Sequence, residues 1–335
     1  VWTRPTPPSP PAGSIVVDPT GLGALIDDRG FDLVVFTNSN LAPHLSPKAG
    51  TRFVYDMFAP KILELLSSGR TDRDWRDDAR RKERAFALAD HVLVNGRRKL
   101  GYALGWLLRP SVDRIRTEAL ELAPLITGDP LDHVSVVEMP VPLPRGMEPR
   151  PAGHAAGDRL RVGVAGYTQP WSGEGGGSPA IEVPRRLGHE VHVLTPRHWG
   201  RTDAQAAPPH DGVTTVVGPL EYPAFAEWLQ SMDVIADSFP PTAERRLAMI
   251  TRTTVALRLG VPVIHGADSE VSDLITDYDA GWVVAPDDTE GWQSALAEAA
   301  DAATLARKQG GAIALSTDRL APIAALAEAA EALAS

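Results

Sequence analysis

The sequence predicts an α/β fold with two domains, each built on a parallel sheet. Three apolar runs of strand length lie at 233–237, 261–265 and 281–285. A segment with helical periodicity follows each run, and successive units of this kind build a parallel sheet. A chain of 335 residues is also longer than one hydrophobic core usually supports. Ligands of parallel sheets bind beyond the carboxyl ends of the strands, so we expect functional residues in the loops that follow.

The first domain, 1–145, is predicted from strand-like runs at 14–18, 32–36, 52–56 and 91–95, with charged helices at 72–89 and 97–108. The chain starts with Val1-Trp2 and a proline-rich segment rather than with a start methionine or a signal peptide. We therefore expect this domain to be incomplete and to lack its opening strand.

A domain boundary is expected near 140–160. Prolines at 140, 142 and 144 cannot continue a helix or a central strand. The strand pattern starts again at 161–166 and continues at 189–194 and 212–217, which predicts a second domain over 155–318. The alanine-rich end of the chain favours a helix over 319–335.

Composition narrows the class of function. The chain has 43 acidic and 33 basic residues, a net charge of −10, which argues against nucleic acid as the main partner. No apolar run is long enough to cross a membrane, so membrane contact is expected to be peripheral at most. The absence of cysteine excludes disulfides and thiolate catalysis. Cytoplasm is the default expectation for location.

Three motifs occur in order in the second domain. A long segment ends in Leu-Gly-Val-Pro-Val-Ile at 259–264, Ser269-Glu270 begins the next helix, and Gly281-Trp282-Val283-Val284 is followed by Pro286-Asp287-Asp288. Together they resemble the donor-binding half of the GT-B fold glycosyltransferases, in particular the retaining family 4 group. That family carries a glutamate pair, and its second member falls on Val255 here, so the usual pair is not present.

The resemblance implies two Rossmann-like domains and a metal-independent, hexosyltransferase-like reaction in carbohydrate biosynthesis. The donor would be a nucleotide-diphosphate sugar, with no separate cofactor. The acceptor would be a carbohydrate, a lipid-linked sugar or a small molecule. The helix over 319–335 would return to the first domain, as it does in that family.

A diphosphate site is predicted around Thr242 and Arg252. Two prolines end the strand before Thr242, which can cap a helix whose free amides attract a diphosphate. Arg252 lies beside Thr253 and Thr254. If one helix runs from Thr242 through Arg252, Glu244 and Arg252 share a face, so an ion pair between them is the alternative to a ligand role.

A glycine-rich run over 166–178 follows the first strand of the second domain. Its backbone amides can bind an anion and Trp171 can stack on a base or sugar; the alternative is an ordinary surface loop. The expected donor-binding residues all follow predicted strands of the second domain: Gly166, Tyr167, Thr168, Trp171, Thr195, Ser238, Thr242, Glu244, Arg252, Thr253, Ser269 and Glu270.

In the first domain, Asp56 ends the strand-like run 52–56, and Tyr55-Asp56-Met57-Phe58-Ala59-Pro60 with Glu64 resembles a run in one branch of the same glycosyltransferases. A carboxylate at a strand end can take a proton from an acceptor hydroxyl or stabilise a positively charged sugar. We therefore predict Asp56 as the catalytic residue, facing the cleft between the domains, with Asn38 and Glu64 as acceptor-binding residues. The alternative is that Asp56 caps the next helix.

Two other functions fit the same pattern. A GT-B-like nucleotide-sugar epimerase needs the donor but no acceptor. A non-catalytic partner subunit would bind the nucleotide sugar without turning it over, which the missing glutamate pair allows.

Overall fold

The computed structural model describes residues 15, 17–37, 39–66, 72–125, 128–136, 141–153, 159–165, 178–194, 214–217 and 220–320. The described residues form two compact units, one up to residue 136 and the other from residue 141 to residue 320. Each unit contains a parallel sheet with helices. The predicted α/β class with two parallel sheets is therefore confirmed.

Among the described residues, the first unit has a four-stranded parallel sheet in the order β1-β2-β3-β4. Its strands are β1 Leu33–Phe36, β2 Arg52–Met57, β3 His91–Val94 and β4 Val134–Val136, and its helices are α1 Leu22–Arg29, α2 Lys61–Leu66, α3 Asp72–Leu88, α4 Arg98–Leu107 and α5 Pro110–Arg114. The predicted strands at 32–36, 52–56 and 91–95 and both predicted helices are present, and their ends differ by one residue at most.

The predicted strand at 14–18 is not found. Of these residues the structure describes 15, 17 and 18, and none of them is in a strand. Asp18 instead caps a 3₁₀ turn over Pro19–Gly21, with its carboxylate accepting a hydrogen bond from the Thr20 amide at 3.0 Å. An aspartate followed by proline favours this local turn over a ladder of strand hydrogen bonds.

Helix α3 packs on the first sheet through Phe86, which is fully buried and meets the Tyr55 ring edge to face at a centroid distance of 5.4 Å. Residues four apart on a helix share a face. Lys82 therefore points into the same apolar layer as Phe86, and it is only 1% exposed.

In the part of the second unit that the structure describes, six parallel strands form a sheet in the order β10-β9-β8-β5-β6-β7. Its strands are β5 Arg161–Ala165, β6 Glu190–Leu194, β7 Thr214–Val217, β8 Val234–Asp237, β9 Val263–Gly266 and β10 Gly281–Val284. Its helices are α6 Pro179–Arg186, α7 Tyr222–Gln230, α8 Ala243–Leu247, α9 Thr251–Arg258, α10 Glu270–Asp277, α11 Thr289–Ala300 and α12 Ala302–Leu315.

Strands β8 and β9 are interior strands of this sheet, and every residue in them is buried. Burial on both faces explains why their sequences are continuously apolar rather than alternating. They pair in parallel with Asp237 opposite His265. The register thus places two polar side chains next to each other at the carboxyl end of a buried sheet.

Gly260 makes the turn between α9 and β9. Its φ of 74° lies in the left-handed region, which favours glycine. A Cβ at this position would lie 2.7 Å from the Arg150 carbonyl oxygen. Glycine is therefore favoured at this position of the Leu-Gly-Val-Pro motif for two reasons: its backbone conformation is left-handed, and a side chain would collide with the Arg150 backbone.

Thr242 and Arg252 do not lie on one continuous helix. Helix α8 ends at Leu247, the backbone is extended at Ala248, and α9 begins at Thr251. Ala248, Met249 and Ile250 are buried in the core of the unit. Burial of these three side chains outweighs continuation of the helix, so Arg252 sits at the start of a separate helix.

No helix among the described residues is both long and apolar enough to span a membrane.

Candidate functional site

Asp237 is the last residue of β8, and its carboxylate gathers the polar side chains around it. Oδ1 accepts hydrogen bonds from Arg252 Nε at 3.0 Å and Nη2 at 2.6 Å, and Oδ2 accepts one from Thr253 Oγ1 at 3.1 Å. The Asp237 side chain is 1% exposed. Two residues of the predicted donor site, Arg252 and Thr253, are therefore held by a third that was not predicted.

The electrostatics keep Asp237 ionised. Burial raises the pKa of Asp237, but the Arg252 guanidinium and His265 lower it by more, so the net pKa lies well below the usual range. A buried carboxylate with these partners is a fixed negative charge at neutral pH. The alternative partner for Arg252, Glu244, is excluded because the helix break separates them and Arg252 pairs with Asp237 instead.

Two arginines contact the ring of Phe239. The guanidinium carbons of Arg245 and Arg252 lie 3.9 and 4.2 Å from the ring centroid. Arg245 has no ion pair within 4.0 Å in the described part of the chain. Burial lowers the pKa of Arg245, Asp237 raises it in part, and repulsion from Arg252 lowers it further. The structure therefore holds two guanidinium groups side by side, one of them without a carboxylate of its own.

His265 connects Asp237 to the start of α10. Its Nδ1 lies 3.0 Å from Asp237 Oδ2, which is within ion-pair distance, although the two atoms do not meet the geometry of a hydrogen bond. Its Nε2 is 2.8 Å from Ser269 Oγ. Ser269 caps α10 in a reciprocal capping box with Ser272. The predicted donor residue Ser269 is thus part of the same network, although its side chain is fully buried.

The remaining predicted donor residues divide into three groups. Thr242 caps α8 as expected, accepting a hydrogen bond from the Arg245 amide at 3.1 Å, but α8 has only five residues and its dipole is small. Glu244 is buried, while Ser238 is half-buried in the loop after β8 and Glu270 is half-buried as the first residue of α10. A third group lies outside the described residues: Gly166, Tyr167, Thr168, Trp171 and Thr195.

In the first unit, Asp56 lies in β2, one residue before its end, and is half-buried. Burial raises the pKa of Asp56, and the nearby Lys99 lowers it in part. Lys99 is 1% exposed and donates to the carbonyl oxygens of Phe58 at 3.0 Å and Asn95 at 3.2 Å. The ammonium group is therefore fixed close to the carboxylate by backbone acceptors.

Lys82 is a second buried amine in this unit. Its Nζ lies 4.7 Å from the centroid of the Tyr102 ring and has no hydrogen-bond partner among the described residues. Burial lowers the pKa of Lys82 to about 7, and the predicted acceptor residue Glu64, half-buried on α2, raises it in part. Asn38, the other predicted acceptor residue, lies outside the described residues.

Sequence reasoning missed Asp237, Arg245, His265 and Lys99. Asp237 carried a usable signal, because it ends the strand 233–237 just as Asp56 ends 52–56. His265 likewise falls at the end of an apolar run. Arg245 and Lys99 carried none, since an arginine or lysine on a helix is usually solvated.

No protein-family model matches the chain, and no curated protein matches it. Among solved structures, the chain is similar to sucrose-phosphate synthase from Thermosynechococcus elongatus, with a TM-score of 0.65 and 11% identity over 94% of this chain and 76% of that one.

Two further solved structures are similar. Anabaena HepE, solved with UDP-glucose, has a TM-score of 0.60 and 13% identity over 95% of this chain and 84% of its own. WaaG, a glycosyltransferase involved in lipopolysaccharide biosynthesis, has a TM-score of 0.58 and 13% identity over 94% and 80%. These neighbours have the GT-B fold, and the chain shares it. At this level of identity, the similarity establishes the fold alone.

Proposed function

We propose that the chain is a glycosyltransferase that moves a sugar from a nucleotide-activated donor to an acceptor hydroxyl. The observation that carries the proposal is the arginine pair, Arg245 and Arg252, gathered on the Phe239 ring beyond the carboxyl end of β8. Ligands of parallel sheets bind at this end of the strands. Similar solved structures include proteins in complex with UDP-glucose or UDP, which supports a nucleotide sugar as the ligand.

The arginine pair suits a diphosphate. Arg252 uses Nε and Nη2 on Asp237, which leaves Nη1 with no hydrogen bond to a described residue. Arg245 forms no ion pair within 4.0 Å among those residues, so its charge is available to a ligand. Fixed guanidinium groups stabilise a leaving diphosphate as its negative charge develops, because they need no reorganisation during the reaction. The arrangement requires no metal ion for this task.

The reaction would proceed by exchange at the anomeric carbon of the sugar. Its bond to the diphosphate oxygen breaks, and a bond to the acceptor oxygen forms. The acceptor hydroxyl proton goes to the Asp56 carboxylate, whose pKa is raised by burial and which therefore holds a proton better than an exposed aspartate. Glu64 and Asn38 are proposed to contact the acceptor.

The direct test is binding followed by product analysis. A panel of nucleoside diphosphates and nucleotide sugars is screened by thermal shift, since a ligand at a hundred times its Kd stabilises by about 2.7 kcal/mol. Stabilisation by at least one nucleotide is expected, and stabilisation by none contradicts the proposal. The best donor is then incubated with and without candidate acceptors. Transfer to an acceptor supports a transferase, an epimerised donor without acceptor indicates an epimerase, and binding without turnover indicates a non-catalytic subunit.

A further inference from the structure

The chain of contacts Asp237–His265–Ser269 crosses two neighbouring strands and ends at a helix. Asp237 ends β8, His265 lies opposite it in β9, and Ser269 caps α10. All three are at most 2% exposed. Since none of them can touch a ligand, their role must be exerted through the groups that they hold.

His265 contacts a different neighbour through each of its ring nitrogens. Ser269 Oγ already accepts the Ser272 amide at 3.1 Å, and among the described residues its own proton has no acceptor other than His265 Nε2. The imidazole therefore bridges two residues, with Nε2 on Ser269 Oγ and Nδ1 facing Asp237 Oδ2.

The two ends of this bridge are the two parts of the proposed donor site. At one end, Asp237 Oδ1 holds Arg252 through two nitrogens. At the other end, Ser269 and Ser272 complete the capping box that starts α10, where the half-buried Glu270 is the first residue. A movement of His265 therefore affects both the arginine and the helix start.

We infer that Asp237, His265 and Ser269 form a positioning relay that couples the placement of Arg252 to the start of α10. For its ligand the relay rests on the proposed function: the arginine would engage the diphosphate and the loop before α10 the sugar of the same nucleotide sugar. None of the three relay residues is a catalytic residue. Each acts by setting the distance between two groups that must bind one ligand together.

The test uses two substitutions that each keep one half of the bridge. In His265→Asn, the amide nitrogen takes the position of Nδ1 and keeps the contact with Asp237. In His265→Gln, the longer amide reaches the position of Nε2 and keeps the contact with Ser269. Two NMR signals report the two ends: the Arg252 Nε–H resonance, and the hydrogen-exchange rate of the Ser272 amide.

Both signals are expected to change in each His265 variant, because a relay broken at one end no longer holds the other. His265→Asn should shift the Arg252 resonance although it keeps the contact with Asp237, and His265→Gln should speed exchange of the Ser272 amide although it keeps the contact with Ser269. A change confined to the end whose contact is lost overturns the relay. If the His265 variants do not fold, Ser269→Ala and Ser269→Thr replace them. Ser269→Ala should shift the Arg252 resonance and Ser269→Thr, which keeps the hydroxyl, should not; a shift in both, or in neither, overturns the relay.

Nucleotide affinity provides a second readout. Coupling through buried contacts is typically worth a roughly two- to thirtyfold change in affinity. We expect a decrease of this size in UDP affinity for both His265 variants, measured by calorimetry on the whole chain. If the wild-type chain binds no nucleotide, the proposed function fails, whereas the NMR signals still decide the relay.

Discussion

Arg252 places both Nε and Nη2 on a single carboxylate oxygen of Asp237, at 3.0 and 2.6 Å. The arginine side chain is 17% exposed and the aspartate 1%. Arg252 is therefore accessible to a ligand, whereas Asp237 is not. Removal of either partner should affect stability as well as binding, because it leaves a buried charge without compensation.

Arg252→Ala should weaken the binding of nucleoside diphosphates by roughly ten- to a hundredfold, since a hydrogen bond to a charged group is worth about 1.5–3 kcal/mol. It should also lower the free energy of unfolding of the second unit by about 3–5 kcal/mol, because Asp237 loses its ion pair. Calorimetric titration with UDP and urea unfolding measure the two effects.

The control for Arg252 is Arg186→Ala, which removes an exposed arginine at the end of α6. It should change neither UDP affinity nor stability by a measurable amount. A loss of stability in Arg252→Ala with unchanged UDP affinity would assign Arg252 to structure alone.

Arg245→Ala should separate binding from stability. Arg245 makes no ion pair within 4.0 Å among the described residues, and burial lowers its pKa, so the fold disfavours its charge. Its removal is expected to reduce diphosphate affinity about tenfold, the effect of one charged hydrogen bond, without a loss of stability. The same titration and unfolding measurements apply. Unchanged affinity would remove Arg245 from the ligand site, whatever its effect on stability.

Asp56→Asn should lower sugar transfer by about a hundredfold or more while UDP affinity stays the same, because a general base is lost and the side chain keeps its size. The free energy of unfolding should rise at neutral pH. The raised pKa of Asp56 means that the folded state disfavours the charged form, a penalty that appears as pH rises above 3.8. Turnover with saturating donor and unfolding at several pH values are the measurements.

Asp27→Asn serves as the control for Asp56, since Asp27 is an exposed carboxylate of the same unit. It should leave turnover unchanged. Near-normal transfer by Asp56→Asn would show that the aspartate has a structural role only.

Lys82→Met should stabilise the first unit at pH 7 and flatten its pH dependence. The pKa of Lys82 is lowered from 10.5 to about 7, so between these values the unfolded chain binds more protons than the folded one. This makes wild-type stability rise with pH in that window, by up to about 1.4 kcal/mol per unit. The difference between variant and wild type should therefore be largest at pH 7 and shrink toward pH 10.5. If the difference in the free energy of unfolding between Lys82→Met and wild type stayed constant from pH 7 to pH 10.5, the lowered pKa of Lys82 would be contradicted.

The fold class could be predicted from the sequence because strands of a parallel sheet that are buried on both faces are continuously apolar, and this pattern can be seen along the chain without knowing its tertiary contacts. Runs such as 233–237 and 261–265 mark β8 and β9 to within two residues. Capping is equally local, so Thr242 and Ser269 were both correctly placed at helix starts. The strand proposed at 14–18 failed because the turn preference of Asp18 and Pro19 outweighs an apolar run.

The partners within the candidate site were decided by tertiary structure alone. The sequence left either a ligand or Glu244 as the partner of Arg252. Burial of three apolar side chains at 248–250 breaks the helix between Glu244 and Arg252, and Arg252 pairs with Asp237 instead. The pairing of Asp237 with His265 depends on the register of two strands separated by 25 residues of intervening chain. Sequence determined which segments are strands and helices, because that depends on neighbours along the chain. Which charges meet depends on how the core closes, and no local pattern records it.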